Sequence, residues 1–291
     1  MAIKPGFNNW SDPGSEKMKQ IEANLDKIGK FNLEGAKSFT VSDISADDFS
    51  EWIGEATIAK SEDKMRNLLY FGFQPLYDVL IDARLSNSQR SESLKMIKQV
   101  TNISQDYLTG YYTGQPDLKK TIGALGILSV QATQLDGTPY RTKFRNIDYN
   151  GISPEHIRMF LENFLTHALD KKIAVPEYVV GCACGSSEIV FPLAGVFGTH
   201  SGFVRRSQRR GDDEPVLISE QEPEIMKSTK GKDVTCVEDY VCTSRSLYKV
   251  MKRVEQYNPR TIMGAAVNSV GGCEYLRGVV RKRKFHLYVR D

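Results

Sequence analysis

Nothing in this 291-residue chain is apolar over the roughly 18 residues a membrane-spanning helix needs. The opening Met1–Trp10 segment has no apolar h-region of a secretory signal, so a cytoplasmic location is the expectation. Cysteine is sparse. The five thiols, Cys182, Cys184, Cys236, Cys242 and Cys273, are odd in number and fall in segments that read as strands and turns, which argues against a disulfide framework. Cys182-x-Cys184 lacks a second ligand pair, and the four histidines (His156, His167, His200, His286) are scattered, so no zinc cage is expected. Neither sign of charge dominates: 39 basic against 36 acidic residues leave +3, too little to argue for nucleic acid or an anionic membrane as partner. There is no internal repeat and no low-complexity tract. With 40% hydrophobic and 26% charged residues, the composition is that of a globular chain long enough to bury a substantial core.

What is present falls into two patterns. Residues 16–112 read as helices. Ser42, Asp43 and Ser45 offer N-caps ahead of Ala46–Trp52, and apolar faces recur at Met65, Leu68, Leu69 and Phe73, at Leu76, Val79, Leu80 and Ala83, and at Leu94, Ile97, Val100, Ile103 and Tyr107. No basic recognition helix of a DNA reader stands out among them. Gly110 and Gly114-Gln115-Pro116 mark a boundary, dividing a helical N-terminal domain or extension (1–114) from a second unit (115–291). Beyond it, Ile122–Thr133 reads as a strand pair and Leu135–Tyr140 as a turn before an extended 141–148. A helix starts at Ser153-Pro154. Then follow strand 178–182, helix 187–197, strands 202–206, 215–218 and 233–238, helix 245–257 and strand 261–267. This alternation predicts an α/β fold: a mostly parallel sheet flanked by helices, preceded by an α-helical N-terminal region.

The stretch Val234–Leu247 carries the most chemistry. An apolar strand delivers Glu238 and Asp239; the chain turns through Thr243, Ser244, Arg245 and Ser246 and enters a helix with Leu247, Val250, Met251 and Val254 on one face. A strand feeding a helix through a hydroxyl-rich turn presents backbone N–H groups and the positive end of the helix dipole, a site for phosphate. Two carboxylates beside it suit the vicinal hydroxyls of a sugar.

This segment resembles the signature of type I phosphoribosyltransferases, a hydrophobic strand followed by acid-Asp-x-x-x-Thr-Gly-x-Ser/Thr. The resemblance implies that Glu238 and Asp239 hold the ribose of phosphoribosyl pyrophosphate (PRPP), directly or through water on Mg²⁺, and that Thr243, Ser244, Arg245 and Ser246 wrap its 5′-phosphate. Ser244 stands where glycine is usual. A second small-residue turn, Ala183-Cys184-Gly185-Ser186, follows strand 178–182, where backbone N–H groups can meet pyrophosphate. The run Gly202–Gly211, with Arg205, Arg206, Arg209 and Arg210, is similar to the basic strand and loop of orotate phosphoribosyltransferases. There the loop closes over PRPP and reaches the neighbouring subunit, which implies a homodimer. Leu135–Tyr140 and Val267–Gly272 are similar to that family's base-lining segments, nominating Tyr140 and Ser269 for the base. Serine in place of the family's arginine cannot clamp a carboxylate in bidentate fashion.

The resemblance spans roughly residues 125–291. It implies transfer of a phosphoribosyl group from PRPP to a nitrogenous base or other nucleophile with release of pyrophosphate, dependent on Mg²⁺. Asp239, Glu238 and Arg206 are the catalytic candidates. The alternative is a catalytically altered scaffold: a nucleotide-ligand sensor, regulator or toxin/effector, with a protein or nucleic-acid partner docked on the N-terminal helices. No membrane partner is expected.

Overall fold

A computed structural model describes residues 12–30, 53–54, 57–59, 61–82, 85–132, 153–183, 186–205, 215–241, 245–269 and 285–289. Before the sheet come α1 (Ser15–Lys30), α2 (Glu62–Asp82), α3 (Asn87–Tyr112), α4 (Leu118–Ala132) and α5 (Pro154–Leu169). Then follow β1 (Tyr178–Ala183), α6 (Ser187–Val196), β2 (His200–Arg205), α7 (Glu222–Thr229), β3 (Asp233–Val241), α8 (Arg245–Glu255), β4 (Thr261–Ser269) and β5 (Phe285–Val289).

Local chemistry explains the helix starts. Ser86 caps α3 in a capping box, taking the Gln89 N–H at 3.3 Å while its own N–H reaches Gln89 Oε1 at 3.1 Å. Ser153 caps α5, with Pro154 in the first turn. Periodicity then fixes the buried face: Met96, Ile97, Val100, Tyr107, Leu108 and Tyr111 in α3, and Ile157, Phe160, Leu161, Phe164, Leu165 and Ala168 in α5.

The five strands form one sheet in the order β2-β1-β3-β4-β5, and every pairing is parallel. The sheet is thus wholly parallel and flanked by helices, as an α/β fold. Strand alternation sends Val179, Phe203, Val237, Met263 and Ala265 into one buried cluster, together with residues of α1 to α6. Tyr178, Val180, Val204, Val234, Cys236 and Ile262 enter a second, against α8 and Ile225 of α7. Burial on both faces is why these strands read as continuous apolar runs. The helices on either side of Gly114 share the first cluster, which runs without a break from Ile21 to Val267. One close approach there has a named cause. A Cβ on Gly195 of α6 would lie 1.8 Å from Thr109 Oγ1 of α3, so glycine lets these two helices touch.

Two expectations are overturned. Ile122–Ala132 is not a strand pair but most of α4, started by Asp117, whose Oδ1 accepts the Lys120 N–H at 2.8 Å. Thr121, Leu125 and Leu128 face inward at helical spacing, while Gly123 and Gly126 sit where an added Cβ would meet nothing. Residues 215–218 form no strand beyond an isolated antiparallel bridge between Val216 and Arg205. The caps expected at Ser42, Asp43 and Ser45 and the turn at Leu135–Tyr140 lie outside the described residues.

Candidate functional site

The strand order contains a reversal. From β1 the chain passes through α6 to β2 on one side, then returns to place β3 on the other side of β1. In open parallel sheets such a switch point leaves a crevice at the carboxyl ends of the two strands, and ligands bind there. Two of the motifs singled out in the sequence flank this crevice.

β1 and β3 stay in register from Tyr178↔Val234 to Gly181↔Val237, whereas β3 continues beside β4 as far as Val241↔Ser269. Glu238 and Asp239 therefore lie just past the last β1–β3 pair, on the stretch where β3 parts from β1. Both are half-buried. Alternation turns Glu238 to the face carrying Val234 and Cys236, and Asp239 to the face carrying Val237. Of the turn behind them, Thr243 and Ser244 lie outside the described residues. Arg245, exposed, and Ser246, half-buried, open α8. Its inward face is the one expected: Leu247, Val250, Met251 and Val254 are all buried.

Ala183 ends β1; Cys184 and Gly185 lie outside the described residues. Ser186 occupies the N-cap of α6 but provides no side-chain cap; its hydroxyl donates instead to Cys182 O at 2.5 Å. The α6 N-terminus therefore takes no side-chain cap from Ser186. Arg205 stands in register with Ala183 at the end of β2, and its backbone exchanges two 2.7 Å hydrogen bonds with Val216. At 2% exposure it is a buried cation rather than part of a solvated basic run. Arg206, Arg209, Arg210 and Tyr140 lie outside the described residues, and Ser269 is described only as the last residue of β4, level with Val241.

One cluster at this end escaped the sequence reading. Glu188, second residue of α6, accepts the Tyr112 hydroxyl at 2.7 Å and pairs with Arg66 Nη1 at 3.0 Å. Arg66, 2% exposed, also donates to Asn67 Oδ1 at 3.0 Å and lies 5.4 Å from the Tyr111 ring centroid. Burial alone would lower the guanidinium's pKa; Glu188 and the two tyrosines reverse this and hold it above its ordinary value. Burial, with Glu188 beside it, raises the Tyr112 phenol well above its ordinary range. A signal existed in the sequence: Glu188 is the one acid in an otherwise apolar helix, and a buried acid needs a partner. Nothing local nominated Arg66.

A cleft of about 470 Å³ lies elsewhere, lined by Gln105, Asp106, Thr109, Lys120, Gly195 and Gly198. It sits at the far end of α6, about 15 Å away along the helix. Among the described residues no three His, Cys, Asp or Glu side chains converge as a metal cluster, and no helix is long and apolar enough to cross a membrane. No protein-family model matches the chain, and no curated protein matches it either.

Proposed function

We propose that the crevice between β1 and β3 binds PRPP and that the chain is a phosphoribosyltransferase-like protein. On this reading residues 115–291 form the phosphoribosyltransferase-like unit, and residues 1–114 are a helical extension sharing its core. The supporting observation is the common location of two independent motifs: the acid pair and the Ala183–Ser186 turn flank one switch point, at the end of the sheet where parallel folds bind ligands. Glu238 and Asp239 would take the ribose hydroxyls, Thr243 to Ser246 the 5′-phosphate, and the α6 N-terminus the pyrophosphate. Arg205, Arg206, Arg209 and Arg210 supply positive charge on the β2 side.

The donor set fits Mg²⁺ carried in with the substrate. That ion keeps several waters and takes one or two carboxylates plus substrate phosphates; with Glu238 and Asp239 on opposite faces of β3, one of them would hold it, directly or through water, without a protein cage. When bound it would neutralise phosphate charge. The protein's own contribution is orientation: anion-binding N–H groups on one side of the crevice and carboxylates on the other hold C1 of the ribose between leaving group and nucleophile. Charge then builds on the departing pyrophosphate, where fixed dipoles favour the transition state over the ground state.

Calorimetric titration of PRPP with Mg²⁺ into the full chain tests the cradle, and saturable binding is expected. Absence of binding at millimolar ligand removes the reading. Incubation with PRPP and a panel of nitrogenous bases, following pyrophosphate release, separates enzyme from sensor: turnover supports transfer, while binding without release favours the altered-scaffold alternative.

A further inference from the structure

The cleft at the far end of α6 plays no part in the reading above, and its walls have a local cause. α3 and α4 form a helical hairpin closed by a tight turn. A Cβ on Gly110 would lie 2.6 Å from Gln115 O, so glycine is what lets the chain fold back there. Small residues then keep the space between the helices open. Thr109 of α3, Ala124 of α4 and Gly195 and Gly198 of α6 put little side chain into about 470 Å³. Small-molecule sites usually enclose ~300–1,000 Å³.

Most polar groups around this space are already engaged. The carbonyl end of α6 is served from α1, with Asn24 Nδ2 donating to Val196 O at 2.7 Å and Lys17 Nζ to Gly198 O at 3.5 Å, so it makes little demand for a cation. Gln105 takes the Ser201 hydroxyl and donates to Thr199 O, each at 3.2 Å. Asp117 caps α4 by accepting the Lys120 N–H at 2.8 Å. What is left is one ion pair across the walls: Lys120 Nζ of α4 donates to Asp106 Oδ2 of α3 at 3.3 Å, with the side chains 69% and 72% exposed. A pair so exposed is worth ~0–1 kcal/mol, and parting it costs little. Below it the Thr109 hydroxyl oxygen is buried beside Gly195 with no hydrogen-bond partner among the described residues. A polar group entering the cleft would make good that deficit.

Opposite charges on facing walls, above an interior that is partly carbon, match a ligand carrying both signs on an apolar body. We propose that this cleft is a second ligand site, for a zwitterion of the α-amino acid class with an apolar side chain. Its ammonium group takes the place of Lys120 at Asp106, and its carboxylate accepts from Lys120. Its side chain lies against Ile103 and Ala124. The site stands about 15 Å along α6 from the β1–β3 crevice and is independent of the PRPP reading.

Calorimetric titration of L-leucine into the full chain tests this, and saturable binding at millimolar concentration or below is expected. The single-charge fragments of leucine, isocaproate and isoamylamine, should each bind about tenfold more weakly or not at all, since each leaves one partner unmatched. Asp106→Asn and Lys120→Met, both at exposed side chains, should weaken leucine binding by a similar factor. Ala124→Leu, which fills the cleft, should abolish it. Circular dichroism checks that each variant is folded. Wild type that binds no leucine overturns the proposal. So does a fragment that binds as tightly as leucine, or a folded variant of the three that binds like wild type. If Ala124→Leu does not fold, the two charge variants decide. A chain that binds leucine but not PRPP removes the functional reading and keeps this one; binding of PRPP but not leucine does the reverse.

Discussion

The two ends of the sheet hold the same residue types in different surroundings. At the amino end, Asp233 is 1% exposed and accepts from Arg260 Nε and Nη2, both at 3.0 Å, and from the Thr261 hydroxyl at 2.8 Å. Glu177 joins it, taking Lys232 Nζ and the Asp233 N–H at 3.0 Å each and pairing with Arg260. Those acids are enclosed by converging donors and serve to lock β3 to β4. At the carboxyl end, Glu238 and Asp239 are half-buried on β3 just past its last pair with β1, and Ser186 leaves a helix start without a side-chain cap. Asp233 is held by donors from the start of β4, whereas Glu238 and Asp239 are the acids proposed above to meet a ligand.

That contrast can be broken by substitution. The largest effect belongs to the amino end: Asp233→Ala removes a buried acceptor from the solvent-exposed Arg260 guanidinium and the Thr261 hydroxyl and should cost about 2–3 kcal/mol of stability, read by denaturant unfolding, with PRPP affinity of the folded protein unchanged. Asp239→Asn should show the reverse, a loss of about 1–3 kcal/mol in PRPP binding with little change in unfolding midpoint. If both variants lose stability alone, the distinction between the two ends fails.

A smaller effect concerns Glu220. Its hydrogen bond from Arg90 is the main reason its carboxyl is held down at about 2. A depressed carboxylate pKa gives stability that is complete above the ordinary carboxylate range and is lost as pH falls toward about 2. Wild type should therefore exceed Glu220→Gln by less than about 1 kcal/mol at pH 6, since solvent reaches both partners, and thermal melts of the two should converge on acidification. A difference that widens as pH falls would contradict this. Least of all should change at Cys236. Burial pushes its thiol up, so Cys236→Ala should leave the count of thiols reacting with an aromatic disulfide in the native protein unaltered.

Much of the α/β half was legible because burial on two faces writes itself as unbroken apolar runs. Tyr178–Cys182, Val234–Val237 and Thr261–Val267 could be little else, and the Leu247-Val250-Met251-Val254 spacing named a helix face that is wholly buried. α4 was misread as a strand pair, and packing of Thr121, Leu125 and Leu128 reveals the helical period. α7 went unseen: of its eight residues only Ile225 and Thr229 are buried, too few to leave a pattern. In the candidate site, the acid pair was visible as a motif. The Arg66–Glu188–Tyr112 cluster was not, since its members meet across elements far apart in the chain.

The sequence by itself determined the alternation of strands and helices, the inward faces, and the residue types able to hold a sugar and a phosphate, because these follow from local periodicity and side-chain chemistry. Only the tertiary structure decided that β3 lies across β1 from β2, so that the end of β1 and the acid pair of β3 sit on adjacent strands. It also decided that Arg205 and Arg66 are buried and that Arg66, from the first third of the chain, pairs with Glu188 at the start of α6. Strand order and the partners of buried charges are set by contacts between distant segments, and no local pattern records them.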